Sequence, residues 1–504
     1  MKDVNKIILI GGAFVLLIAL ISYFWFFEMP PPGKEVAAPD FLIPSHITIN
    51  GEPDYDGEKL HFRDYSNVMH GIFMFGGMSR TSELGHENYR PDLATYDMQE
   101  RGERWLQLIG EIENRFEKSG HIAPYMIQRG ESFYRPDRID LSVYADASYA
   151  YHMHHRAGRF EDHGLFDLIT RRPARYISDM GRYLLDEHYG NGTFSHSDGS
   201  VDNNSMAWGL GGIHGHVYAW VVWKKPEGAD NMGLLSEEQL INWLGYDAQD
   251  LVVVMREVLD VMDEAWSDEM AMYDFGGGFT WDLEALGSLI RGKKAMYETL
   301  FMFGDEYAQE EALIVFERTA KIVEQALELV QPWGLPSALT FDEDGARAAS
   351  ETVDLHKLYS FMNHLGGGFG FDREREGSSE FIATHRPDLS ARLGEVADII
   401  TAGALDHHFR SGRLVSSVSY SDGSVVDERT SASAIGMFLT AAGNIYLNGE
   451  RFVRADRWDG TNPEAEQLTR RLYDLMMAHV VLLERQFLVK RVDDDPRRAA
   501  VPEE

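Results

Sequence analysis

Cysteine is absent from all 504 residues, so no disulfide braces this chain and no thiolate serves it as nucleophile or metal ligand. The absence agrees with an exported protein without requiring one, since a large domain can dispense with disulfides. Lysine is scarce too. The sequence holds 12 lysines among 47 basic residues, against 81 acidic ones. The resulting formal charge of −34 repels phosphate backbones and anionic headgroups, which argues against nucleic acid as a partner. Two explanations of the acidity stay open: simple solubility, and life in high salt.

Signature motifs are missing as well. There is no G-x-x-x-x-G-K-[ST], and the GGGF and LGGGFGF segments lack the strand–turn–helix setting of a nucleotide loop. No HExxH is present, and no DxDD or DDxxD cluster offers carboxylates for a magnesium-bound diphosphate, which removes the obvious isoprenoid chemistries. The VDDDP run at Val492 to Pro496 reads as part of a solvated charged tail.

Long apolar runs are also lacking, with one exception. Residues 7–27 read IILIGGAFVLLIALISYFWFF, uncharged and long enough at helical rise to cross a hydrocarbon core of roughly 30 Å. The aromatic end, Tyr23 to Phe27, suits a membrane interface, and the run exceeds the roughly 7–15 apolar residues of a cleaved signal. The expectation is a single-pass anchor through residues 7–27. Lys2 and Lys6 favour a cytoplasmic N-terminus and an extracytoplasmic C-terminal domain at the cell membrane. A Pro-rich stretch, EMPPPGKEVAAP, follows as a spacer. The expected organisation is a stub and anchor over 1–28, a linker and entry segment over 29–59, a folded domain over 60–490, and a disordered tail over 491–504.

Helical periodicity dominates the rest. From Pro463 to Val489, Leu468, Leu472, Leu475, Met476 and Leu483 form one apolar stripe behind a proline at the first helical position. Similar amphipathic segments begin near Asp97, Leu165, Ser236, Asp305 and Pro387, and Ser236 to Gln239 reads as a capping box. Between them lie apolar, glycine- and aromatic-rich segments, each starting close to an aspartate. Those aspartates, Asp64, Asp140, Asp202, Asp282, Asp354 and Asp427, are separated by 76, 62, 80, 72 and 73 residues. Two approach loops repeat in sequence, SHSDGSV from Ser195 and SYSDGSV from Ser419. Six units of one apolar and one amphipathic helix pack naturally as an inner ring within an outer ring, because helices apolar on all sides must be buried.

At this point the chain resembles the (α/α)6-toroid superfamily, which includes glycosidases, polysaccharide lyases and sugar epimerases. The resemblance is architectural, spans about residues 60 to 490, and includes no family-specific catalytic motif. The expected fold class is mainly α: one transmembrane helix followed by a toroid of about six helical hairpins. The alternative is a two-domain all-α array.

The resemblance implies that the loops entering the inner helices surround a funnel, which would place the six aspartates at one opening. Aspartate is also a preferred helix N-cap, so capping alone explains any one of them. Glycoside chemistry needs paired carboxyls. Asp202 and Asp427 are the expected catalytic pair because they share the repeated loop, with Asp282 in reserve, although SDGS in both loops also reads as a tight turn on Gly199 and Gly423. Trp281, beside Phe279 in FGGGFTWD, together with His214, Tyr218, His356 and Arg429, are the expected ligand contacts. His152, His154, His155 and His163 match no metal signature. His214, His356 and His364 could converge at the funnel, but satisfied core histidines are the more common case, so neither metal nor cofactor is expected. His216 belongs with them.

The functional expectation is a membrane-anchored extracytoplasmic protein acting on carbohydrate or glycan by carboxylate acid/base chemistry, of hydrolase, lyase or epimerase type. The alternative is a non-catalytic envelope binding or assembly protein. An enzyme requires a deep pocket with convergent polar groups, and a scaffold an exposed apolar patch. Melting the protein in rising salt separates the two accounts of its acidity: adaptation to high salt predicts a steady gain in stability, and no gain leaves solubility alone.

Overall fold

Each apolar segment forms a helix that starts at or near its aspartate. The computed structural model describes residues 33–83, 107–152, 178–223, 236–245, 247–369, 386–447 and 463–490. Helix α1 runs Phe62–Glu83, α2 Leu141–His152, α3 Asn203–Trp223, α4 Glu237–Leu244 and α5 Ala248–Ala265. Then come α6 Leu283–Phe303, α7 Glu306–Leu327, α8 Leu355–Phe369, α9 Pro387–Gly403, α10 Ala432–Leu447 and α11 Pro463–Leu482.

Four aspartates bond the exposed N–H groups of a helix start. Asp140 accepts from Ser142 at 3.0 Å, Asp202 from Ser205 at 2.8 Å, Asp282 from Glu284 at 3.0 Å and Asp354 from Lys357 at 3.2 Å. The other two depart from this role. Asp64 sits inside the first turn of α1. Asp427 ends the strand Val425–Asp427, and Ser431 bonds the start of α10 through the Ala434 N–H, 3.2 Å away.

Packing joins α1 to α2, α2 to α3, α3 to α6, α6 to α8 and α8 to α10, and α10 returns to α1. The six apolar helices therefore close on themselves. Outside them, α5 and α7 pack on α6, α7 meets α9, α9 meets α11, and α11 lies against α10. This double ring is an α/α toroid, not a two-domain array. The two layers differ as their sequences require. In α5 only one stripe is buried, Leu251, Val252, Met255, Val258, Leu259 and Met262, whereas α6 is buried at every residue from Leu283 to Leu300.

The membrane part of the expected fold class is corrected. Among the described residues no helix is long and apolar enough to cross a membrane, and the run at residues 7–27 lies outside them. The expected transmembrane helix, single-pass localisation and membrane partner therefore find no support in any described helix. The long apolar helices that are described face protein instead of lipid: α6 carries Arg291, Lys293, Lys294 and Glu298 within the ring, groups that hydrocarbon would not accept.

Very short strands stitch the toroid together. Strand pairs 117–118 with 121–122, 189–190 with 193–194, and 409–410 with 413–414 form tight hairpins. Their tips, Ser119-Gly120, Asn191-Gly192 and Ser411-Gly412, all have positive φ, as two-residue hairpin turns demand. The two SDGS loops are also alike: Asp198 accepts from the N–H and hydroxyl of Ser200, and Asp422 does the same with Ser424. The entry segment is bonded onto the toroid. Residues 34–36 pair with 133–135, 41–42 with 489–490, 46–47 with 430–431, and 59–61 with 125–127.

Ring closure depends on close helix approach. A Cβ on Gly436 of α10 would lie 2.2 Å from the Asn67 carbonyl oxygen of α1, and one on Gly71 would lie 2.8 Å from the Gly436 carbonyl. Gly292 of α6 is pressed against the Leu210 backbone of α3 in the same way, at 2.8 Å. Gly436→Ala must push α10 off α1, and is expected to cost about 1–3 kcal/mol. A thermal or denaturant melt checks this, and native stability in the variant would contradict it.

Candidate functional site

At the N-terminal ends of α1, α2, α8 and α10 a cavity of about 510 Å³ opens. One wall comes from the entry segment, through His46, Asp54, Tyr55 and Asp56; Asp64, Asp140 and Asp354 also line it. Asp64 accepts from the Ser45 hydroxyl at 2.9 Å and from the Ser433 hydroxyl at 2.7 Å. It thereby ties the entry segment, α1 and α10 together at the rim. Arg429 spans two carboxylates, Asp54 at 2.9 Å and Asp427 at 2.8 Å. Hydrogen bonding to Arg429 holds the Asp427 carboxyl below its ordinary range.

Four ring helices meet at and behind the floor, where Arg63 and His356 line the cavity and Asp146 and Glu284 lie buried behind them. Arg63 of α1 places Nε 2.8 Å from Asp146 of α2 and Nη2 3.1 Å from Oε1 of Glu284 of α6. His356 of α8 puts Nε2 3.8 Å from the same Glu284 oxygen. The Asn67 side-chain amide donates to His356 Nε2 at 3.1 Å, which leaves the imidazole proton on Nδ1. Burial pushes Glu284 up to about 7, against the opposing pull of Arg63, and raises Asp146. Burial and then the Arg63 charge press His356 down to about 4. Near neutral pH, then, Glu284 is protonated in part while His356 is an unprotonated base, and the two are adjacent. His356 lines the cavity while Glu284 lies buried behind it and Arg63, and an acid and a base with displaced pKa values side by side can give and take protons.

Deeper in the ring, His70, His214 and His364 are buried near Arg291. Burial, followed by the Arg291 charge, lowers His70 to about 3 and holds the other two well below the usual histidine value. Among the described residues no three His, Asp or Glu side chains are placed to hold a metal ion.

Of the residues singled out from sequence, His356 and Arg429 line the cavity. Asp427 lies behind Arg429 and orients it. Asp202 and Asp282 are not in the lining: Asp202 caps α3 and faces His196 at 3.1 Å, and Asp282 caps α6 and pairs with Lys357. Trp281 is core, 1% exposed, with its indole N–H 3.3 Å from the Tyr273 carbonyl. His214 belongs to the deeper cluster. The side chains of Tyr218 and His152, with His154, His155, His163 and the VDDDP run, lie outside the described residues. Sequence reasoning missed Arg63, Asp146 and Glu284. The available signal was a charged side chain inside a segment otherwise read as buried, which needs a partner.

No protein-family model and no curated protein matches the sequence. Among solved structures, a sugar epimerase from a ruminal bacterium overlaps with a TM-score of 0.48 at 11% identity, covering 82% of this chain and 94% of that one. A D-mannose isomerase gives 0.46 at 11%, covering 84% and 94%. The cellobiose 2-epimerase of Spirochaeta thermophila DSM 6192 gives 0.46 at 12%, covering 86% and 98%. Among the described residues the chain folds as an α/α toroid with six inner helices. That assignment rests on the closed ring of helix contacts, and the residues of the mouth are read from this chain alone.

Glu284 makes stability depend on pH in a definite sense. Its folded value near 7 lies above the ordinary 4.5, so between those limits the folded chain keeps a proton that the unfolded chain has released. Its contribution therefore falls as pH rises from about 4.5 to 7 and is level above. Relative to the native chain, Glu284→Gln is expected to be more favourable at pH 8 than at pH 5. Denaturant melts at both values measure the difference, and a gap that stays constant would contradict the assignment.

Proposed function

We propose that the mouth cavity binds a carbohydrate-type polyol, and that Glu284 and His356 perform acid/base chemistry on it in a reaction of hydrolase, lyase or epimerase type. The observation that carries this reading is the cluster behind the cavity floor: Arg63 and His356 line a concave polar cavity, and four separate helices bring the buried Glu284 carboxyl of raised pKa directly behind them. About 510 Å³ falls within the roughly 300–1,000 Å³ of small-molecule sites. The lining suits hydroxyl groups. Ser45, Ser142, Ser416 and Ser431 donate or accept, the aspartates accept, and Arg429 donates.

Both proton abstraction next to a carbonyl and protonation of a leaving oxygen need one base and one acid. His356 takes the first role and Glu284 the second, while Arg63 restrains the Glu284 carboxylate once its proton has left. Asp427 acts through Arg429, and Asp202 and Asp282 remain helix caps. A scaffold gains nothing from this cluster, since burying ionisable carboxyls and a guanidinium costs folding free energy. That weighs against the non-catalytic alternative.

The test is a thermal-shift and turnover screen of the full chain against neutral mono- and oligosaccharides. At least one is expected to bind and react. With that sugar, His356→Ala and Glu284→Gln should each lower turnover by about 10²-fold or more while binding persists. Absence of any sugar binding, or native turnover in both variants, would overturn the proposal.

A further inference from the structure

The charges around the mouth carry the carbohydrate reading one step further, to the class of sugar, and this step rests on that reading. Each guanidinium at the cavity is already shared between two carboxylates: Arg63 by Asp146 and Glu284, and Arg429 by Asp54 and Asp427. Lys357, next to Asp354, is bound to Asp282. Beyond these pairs the lining holds four further carboxylates, those of Asp56, Asp64, Asp140 and Asp354. Asp56 faces His61 at 2.9 Å. Asp64 and Asp140 are met by neutral serine hydroxyls, and Asp354 by the Lys357 N–H.

We infer that the cavity selects an amine-bearing saccharide over a neutral one and rejects saccharides that carry carboxylate or phosphate. An incoming anion would have to displace a carboxylate from Arg63 or Arg429 before either could bind it in the bidentate manner that anion recognition favours. It would also enter a cavity whose lining holds five aspartates against two arginines, an excess of negative charge that repels it. An ammonium group meets the opposite situation. Asp140 and Asp354 line the cavity at the starts of α2 and α8, where their hydrogen-bond partners are hydroxyl and amide groups and a cation can approach their carboxylates directly.

Isothermal titration of the full chain with glucose, glucosamine and glucuronic acid oligomers of equal length, or the same trio built on whichever neutral sugar binds, tests this. The amine form is expected to bind at least about tenfold more tightly than the carboxylate form. The gap should narrow as salt rises from about 0.1 M to 1 M and the screening length falls from roughly 10 to 3 Å. The double variant Asp140→Asn with Asp354→Asn should lose most of the gap. Asparagine caps helices as well as aspartate does, so α2 and α8 keep their starts. Two charges removed from a chain of −34 barely alter its general field, so collapse of the preference reports on the mouth. A carboxylate form that binds as tightly as the amine, or a preference unmoved by the double variant, overturns this inference alone. Binding of no member of any trio overturns the carbohydrate reading and this inference with it.

Discussion

The contact between α10 and α1 turns a row of helical hairpins into a ring. Gly71 and Gly436 let the two backbones approach to a distance at which a single methyl group would clash. Above them the Asp64 carboxylate takes hydroxyl hydrogens from Ser433 of α10 and from Ser45 of the entry segment. With the ring closed, residues far apart in sequence share one mouth: Arg63 stands beside His356 and Glu284, and Asp54 beside Arg429. If α10 were displaced, the cavity would lose a wall and the floor cluster its enclosure.

The interior of that ring is costly in the electrostatic sense. Glu284, Arg291, Lys293, Lys294 and Glu298 all lie on one buried helix. Some are satisfied locally: Lys293 donates to the Tyr273 hydroxyl at 2.9 Å, and Lys294 stands 3.7 Å from Glu298. Elsewhere the same burial keeps histidines neutral, as with His408, which bridges the Tyr359 hydroxyl and the Trp333 carbonyl at 2.8 Å each. A satisfied structural histidine and the one at the cavity floor thus share one physical cause for their lowered pKa. They differ in position, since His356 borders open space and His408 does not.

The repeated SDGS loop shows how sequence similarity can mark structure instead of chemistry. Its common element is Asp198 and Asp422 bonding the serine two residues on, with Gly199 and Gly423 at positive φ. The aspartates that follow, Asp202 and Asp427, diverge: the first caps a helix, and the second holds an arginine at the mouth. Similar local bonding leads into different surroundings, because the entry segment adds Asp54 at the second loop.

How much was legible follows from the range of the forces involved. Helix period, capping aspartates and all-round apolarity are local properties. From them alone the six inner helices, their approximate starts and the double-ring packing could be inferred. Tertiary structure decided which charges meet. Asp146 and Glu284 are brought to Arg63 by neighbours across the ring, and no spacing along the chain encodes that encounter. It also placed Trp281 in the core and made the entry segment a cavity wall. Both outcomes depend on strand pairings between residues hundreds of positions apart or on opposite sides of a loop, which periodicity cannot register. Hydrophobic pattern and backbone propensity act over a few residues, and they specify the helices. The site arises from electrostatic and hydrogen-bond contacts that exist only once the ring has closed.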